Sequence, residues 1–203
     1  MYDDEFELTF DLSDEDEASR APAPEPAAET EPAAETEPAA ETEPPVEAVP
    51  EPAVPAANGR CVLISGGDRG IGAAAARAFW QAGYRVAVLY HTHAEAAAAL
   101  EKALPGLLAV QCDVASRASC EVAFHTVEQA VGHVDVLVSN AGIAQQKLFT
   151  DITPEEWQHM LDVNLSGAFH LCQLALPGMI RRKAGRILTV SSMWGQTGGS
   201  CEV

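Results

Sequence analysis

The sequence is short of basic residues, of paired cysteines and of long apolar runs. Lys and Arg number 12 against 30 Asp and Glu, a formal net charge of −18. No basic excess is available to neutralise phosphates, which excludes nucleic acid as an evident partner. No stretch approaches the ~18 apolar residues of a membrane span. The acidic start, Met1-Tyr2-Asp3-Asp4-Glu5, has neither the basic n-region nor the apolar core of a secretory signal. Cys61, Cys112, Cys120, Cys172 and Cys201 include no C-x-x-C pair and are odd in number. They read as free thiols in a reducing compartment. These absences together predict a cytoplasmic protein with no membrane partner.

The acidity that is present is local. Residues 1–58 hold 18 of the 30 acids and one of the 12 bases, Arg20, leaving 12 acids and 11 bases in residues 59–203. The pI near 4.5 therefore describes a tail and not a fold. Residues 25–42 are three copies of Glu-Pro-Ala-Ala-Glu-Thr, and ten of the 13 prolines lie before residue 59. Proline removes donors and glutamates repel one another, so the segment lacks the apolar area to offset ordering entropy. It is expected to be a disordered, partly polyproline II spacer. Phe6, Leu8, Phe10 and Leu12 alternate with polar residues, a period of two that suits either a docking strand or an incidental pattern in a solubilising tail.

Residues 59–203 alternate the two kinds of pattern that define an α/β fold. Short apolar runs at 60–65, 85–90, 107–112, 134–139 and 186–191 read as strands. Between them lie helical stretches at 73–82, stopped by Gly83, at 95–104, stopped by Pro105-Gly106, and from a Ser116 cap to Val131. Thr153-Pro154-Glu155-Glu156 supplies a cap, a proline at the first helical position and acids in the first turn. That helix is expected to run to Arg181-Arg182-Lys183, whose charges complement its dipole, with Trp157 and Met160 in the core. Near-continuous apolar strands joined by helices predict a Rossmann-type doubly wound parallel sheet.

Chemistry-bearing residues gather at the predicted strand ends. Ser65-Gly66-Gly67-Asp68-Arg69-Gly70-Ile71-Gly72 follows the first strand and opens the first helix. Glycines there let a pyrophosphate approach free N–H groups at a helix N-terminus. The spacing is G-x-x-x-G-x-G, not the commoner G-x-G-x-x-G, and such a turn alone does not require a ligand. The third strand ends in Asp113-Val114, the fourth in Ser139-Asn140-Ala141-Gly142 and the fifth in Ser191-Ser192, while the long helix carries Asn164-Leu165-Ser166-Gly167. Open α/β sheets place ligands at such carboxyl ends.

With these motifs in this order, residues 59–203 resemble the short-chain dehydrogenase/reductases, and within them are most similar to 3-oxoacyl-[acyl-carrier-protein] reductases. The family pattern T-G-x-x-x-G-I-G matches residues 65–72 with Ser65 for Thr, and N-N-A-G matches 139–142 with Ser139 for the first Asn. The resemblance implies an oxidoreductase that transfers hydride from NADPH to a carbonyl, with a small-molecule or acyl-carrier-linked substrate in fatty acid biosynthesis. It implies that Gly66, Gly67, Asp68, Arg69, Gly70, Ile71 and Gly72 hold the pyrophosphate end of the cofactor. Asn140, Ala141 and Gly142 would line the adenosine ribose, and Asp113 and Val114 the adenine. Ser192 would hydrogen-bond the substrate oxygen, and Asn164 would bend the long helix to hold a water. A homo-oligomer is implied for the complete protein. Trp194 reads equally as a pocket wall or as packing.

The departure is at the end. The family's Y-x-x-x-K has no counterpart in the eleven residues after Ser192, so the general acid and its lysine are absent. The chain as written is expected to be inactive and incomplete at its C-terminus; a non-catalytic dinucleotide-binding or interaction protein is the alternative. For the cofactor, Tyr90 ends the second strand where an NAD-specific site carries an acid. Arg69 can pair with a 2′-phosphate, whereas Asp68 opposes one. The balance favours NADP over NAD. His91 and His93 lack a third ligand nearby, so no metal is expected.

Overall fold

The computed structural model describes residues 56–193 and 195. The repeats, the 6–12 alternation, Trp194, Cys201 and the run after Gly198 lie outside the described residues. Five strands form one parallel sheet: β1 (Cys61–Ser65), β2 (Arg85–Tyr90), β3 (Leu108–Gln111), β4 (Val136–Ser139) and β5 (Arg186–Thr189), in the order β3-β2-β1-β4-β5. The direction of winding reverses between β1 and β4, and there the carboxyl ends open a crevice. Register is set by pairs such as Leu63 with Ala87 and Leu137.

Every strand of the sheet is parallel, so each connection crosses over a face. Helices α1 (Gly70–Gln81) and α2 (Ala94–Ala103) cover one side, and α3 (Arg117–Val131) and α5 (Gly167–Arg182) the other. Strand alternation divides the core accordingly. Val62, Ile64, Val86, Val88, Val136 and Val138 pack with Ala76, Trp80 and Leu100. Leu63, Leu89 and Leu137 face Phe124, Val127, Leu171 and Met179 on the opposite side. Each fully buried Val, Leu or Ile among them contributes about 1.5–3 kcal/mol through area removed from water. Trp80 Nε1 donates to Pro105 O at 3.0 Å, pinning α1 to the turn before β3. Glu101 Oε1 accepts from the Ala109 N–H at 2.8 Å, satisfying a donor on that edge strand.

Local chemistry sets the helix ends as the sequence suggests. The Ser116 hydroxyl accepts from the Ser119 N–H at 3.3 Å. Thr153 and Glu156 exchange side-chain and backbone bonds in a reciprocal capping box over α4 (Pro154–Leu161). Asn58 already belongs to this architecture, since its N–H and side-chain amide donate to the Gly83 and Ala82 carbonyls, each at 2.9 Å.

Three expectations need correction. The long helix from Pro154 is broken by a π-helical turn, Asp162–Ser166, between α4 and α5. Gly167 follows it, and a Cβ there would press into the Val114 side chain at 2.9 Å, so the close approach admits only glycine. Trp157 is exposed and Met160 only half-buried, because α4 buries none of its residues. Helical spacing gives a face but does not say whether a layer lies against it. The fifth strand ends at Thr189, and Ser191 and Ser192 beyond it are exposed. No described helix is long and apolar enough to cross a membrane.

Candidate active site

The β1–α1 turn is built by close packing. A Cβ on Gly67 would lie 2.5 Å from Val88 Cβ, and one on Gly72 would overlap the Gly66 carbonyl oxygen. Both positions therefore let the turn fold onto the sheet, and neither lines the cleft. Ser65, fully buried, accepts from the N–H groups of Asn140 and Ala141 at 3.0 Å each. Asn140 Nδ2 donates back to the carbonyls of Ser65 and Gly66, also at 3.0 Å. The two strand ends flanking the reversal of winding are thus locked together by four hydrogen bonds.

A cleft of about 530 Å3 opens above this lock, within the size range of small-molecule and cofactor sites. It is lined by Gly66, Asp68, Arg69, Gly70 and Ile71 from the first turn, Asp113 and Val114 from the exit of β3, and Asn140, Ala141 and Gly142 from the exit of β4. All the residues assigned from sequence to the cofactor, except Gly67 and Gly72, meet in it. The N-terminus of α1 points here without a side-chain cap from Arg69 and without an acid in its first turn. Its orphan N–H groups and dipole favour an anion, so the residues present fit a dinucleotide pyrophosphate.

Ser192 and Asn164 do not line this cleft. Asn164 sits in the π-helical turn, where its Oδ1 accepts from the Ile143 N–H at 2.8 Å and its Nδ2 donates to Ile143 O at 3.0 Å. Its amide docks the loop after β4 onto the interrupted helix. Asp113 Oδ1 accepts from the Ala115 N–H at 3.0 Å, closing a turn that aims the loop after β3 at the cleft. His170 Nδ1 lies 3.1 Å from Val114 O. A carbonyl can only accept, so that nitrogen carries the proton.

Sequence reasoning missed several lining residues: Cys112, Ile143, His159 and Val163. It named His91 and His93 only to set a metal aside, yet both line the cleft with Thr92. Their position directly after a strand's carboxyl end was the available signal. The Cys112 and Cys120 sulfurs lie 4.0 Å apart, with the Ser119 hydroxyl 3.7 Å from Cys112. The hydrogen bond with Cys120 holds the Cys112 thiol below its ordinary value against burial, which acts to raise it, and the Ser119 hydroxyl adds to the lowering. Cys120 is pushed up by its hydrogen bond with Cys112 and by burial. Burial raises Cys61 to about 11. The four cysteines among the described residues are free.

Comparison with known proteins adds to this geometry. A family model described as short chain dehydrogenase matches residues 60–203. Acetoacetyl-CoA reductase of Shinella zoogloeoides is 40% identical over 139 residues, covering 68% of this chain and 57% of that protein. The Paracoccus denitrificans acetoacetyl-CoA reductase is 39% identical over 137 residues, 68% of this chain and 56% of its own. The 3-oxoacyl-[acyl-carrier-protein] reductase MabA of Mycobacterium avium is 40% identical over 144 residues, 70% of this chain and 53% of its own. The chain spans little more than half the length of these relatives.

Proposed function

The chain belongs to the short-chain dehydrogenase family, and we propose on that premise that it serves an NADP-dependent reduction of a 3-oxoacyl thioester, carried on coenzyme A or on a carrier protein. One observation carries the reading. The uncapped N-terminus of α1, the Arg69 guanidinium and a β2 exit with no carboxylate from Tyr90 to His93 all border a single cleft at the reversal of sheet winding. A pyrophosphate suits the helix N-terminus, and a 2′-phosphate suits Arg69. The thioester substrate is supported by the names of the relatives, acetoacetyl-CoA reductase and 3-oxoacyl-[acyl-carrier-protein] reductase.

In this reading Gly66, Asp68, Arg69, Gly70 and Ile71 surround the phosphates, while Gly67 and Gly72 shape the turn beneath them. Asp113 and Val114 flank the adenine, and Asn140, Ala141 and Gly142 the ribose. The cofactor, when bound, supplies the hydride. Ser192 orients the substrate carbonyl through its hydroxyl, and Asn164 holds the helix interruption and the β4 loop in register. The tyrosine and lysine of the family pattern have no counterpart after Ser192 in these 203 residues, so this reading assigns the proton to a further group. The residues named for this reading all lie within 59–203.

The test is titration of the purified 203-residue chain with NADPH and then NADH, followed by intrinsic fluorescence. Saturable binding, tighter for NADPH, is expected, with no turnover of an acetoacetyl thioester. Binding of neither dinucleotide overturns the cofactor reading. Turnover by these residues alone overturns the assignment of the proton to a further group.

A further inference from the structure

The Asp68 carboxylate sits in the turn that is to receive a phosphate, and its side chain is only 6% exposed. Its Oδ2 is buried with no hydrogen-bond partner among the described residues. A carboxylate in that position costs free energy for burial and repels a second anion nearby. The group that approaches Oδ2 is His93, whose Nδ1 lies 3.5 Å away, within ion-pair reach but not a formed hydrogen bond. The other ring nitrogen, Nε2, is 3.2 Å from Arg69 Nη1. A guanidinium can only donate, so Nε2 is the acceptor and Nδ1 carries the proton. That nitrogen lies 3.3 Å from Thr92 Oγ1, its hydrogen-bond partner, and faces Asp68 Oδ2 at 3.5 Å. The imidazole therefore stands between the carboxylate and the guanidinium, with its donor edge to the acid and its acceptor edge to the base. Its side chain is 46% exposed and lines the same cleft.

We propose that His93 is a specificity-determining residue: it shields the buried Asp68 carboxylate and holds Arg69 over the cleft, so that a 2′-phosphorylated adenosine is accepted beside an acid that would otherwise repel it. This rests on the dinucleotide reading above and explains how the chain accommodates the acid that weighs against NADP. Without His93, Arg69 has Asp68 as its neighbouring acid in the turn, and charge intended for the phosphate is spent on the carboxylate. The shield acts on the 2′-phosphate alone, since a 2′-hydroxyl is not repelled by Asp68. Other ionisable groups at this end are Tyr90, His91 and Asp113, which line the cleft, and Glu95 in the first turn of α2. None of these has a side-chain hydrogen bond or ion pair with Asp68 or Arg69 among the described residues.

The experiment is a double-mutant cycle on dinucleotide affinity by fluorescence titration, with far-ultraviolet circular dichroism confirming that each variant is folded. His93→Ala should weaken NADPH about tenfold while NADH shifts less than about twofold. In an Asp68→Asn background, where no carboxylate needs shielding, His93→Ala should cost NADPH at most about twofold. His93→Arg, which keeps a donor facing Asp68, should restore NADPH binding to within about threefold. Equal loss of both dinucleotides in His93→Ala, or the same NADPH loss with and without Asp68, overturns the proposal. Failure of the dinucleotide reading is seen separately, in the parent chain, as no saturable binding or tighter binding of NADH; the proposal then falls with it.

Discussion

β1 and β5 are both short parallel strands with apolar residues at their centres, and they meet different fates. Every residue of β1 is buried, packed by α1 on one face and by α3 and α5 on the other. Every residue of β5 is exposed, although Ile187 and Leu188 pair in register with Leu137 and Val138. Strand formation follows from local pattern and ladder hydrogen bonds, whereas burial follows from what lies against the strand. The site obeys the same division. It stands on the carboxyl end of β1, where packing is tight, and Ser192, beyond β5, does not line it.

The largest test of that contrast is a pair of truncations. Leu63→Ala in β1 should cost about 2–5 kcal/mol, with a void between α3 and α5. Leu188→Ala in β5, 48% exposed, should cost about 1 kcal/mol or less. Urea midpoints of the two variants of this chain make the comparison, and equal losses would break it. Next in size is Gly72→Ala, which drives a methyl into the Gly66 carbonyl. Overpacking there should cost about 1–3 kcal/mol and abolish saturable dinucleotide binding, even though Gly72 does not line the cleft. Retained NADPH affinity would show that the turn tolerates displacement from β1.

The smallest effect is on α4, which like β5 buries nothing. Glu156 is held below the ordinary carboxylate range first by Lys147, whose Nζ lies 2.8 Å from Oε2, and then by the Thr153 N–H. A lowered folded-state value means that the capping box stabilises fully above the unfolded glutamate range and is lost as pH falls through the lowered folded value. Helicity of α4, followed by NMR chemical shifts of residues 154–161, should therefore persist below the pH at which a free glutamate protonates, and Lys147→Ala should raise that midpoint. An unchanged midpoint would detach the cap from Lys147.

Much of the fold was legible because its signals are local. The glycine stop at Gly83, the Ser116 cap and the Thr153-Pro154 start each act within a few residues of themselves, so spacing alone located them. The family resemblance implies a bend near Asn164 but not the π-helical turn at Asp162–Ser166, within which Asn164 docks on Ile143, twenty-one positions away in sequence. Trp157 had the spacing of a core residue and no layer to bury it. At the site, the glycines and strand ends were evident from type and order. The part played by His93 was not, because its meaning depends on Asp68 and Arg69, which reach it across the sheet from the neighbouring turn.

The sequence by itself determined the alternation of strand and helix, the parallel sheet that this alternation requires, and the chemical character of the loops at the strand ends. Those properties follow from periodicity, capping and glycine placement, which operate over a few residues. The tertiary structure alone decided which glycines line the cleft and which only admit the sheet, which apolar faces are covered, and that a buried acid, an imidazole and a guanidinium stand in line at one edge of the cleft. Such relations arise from distances between residues remote in the chain, and no local rule contains them.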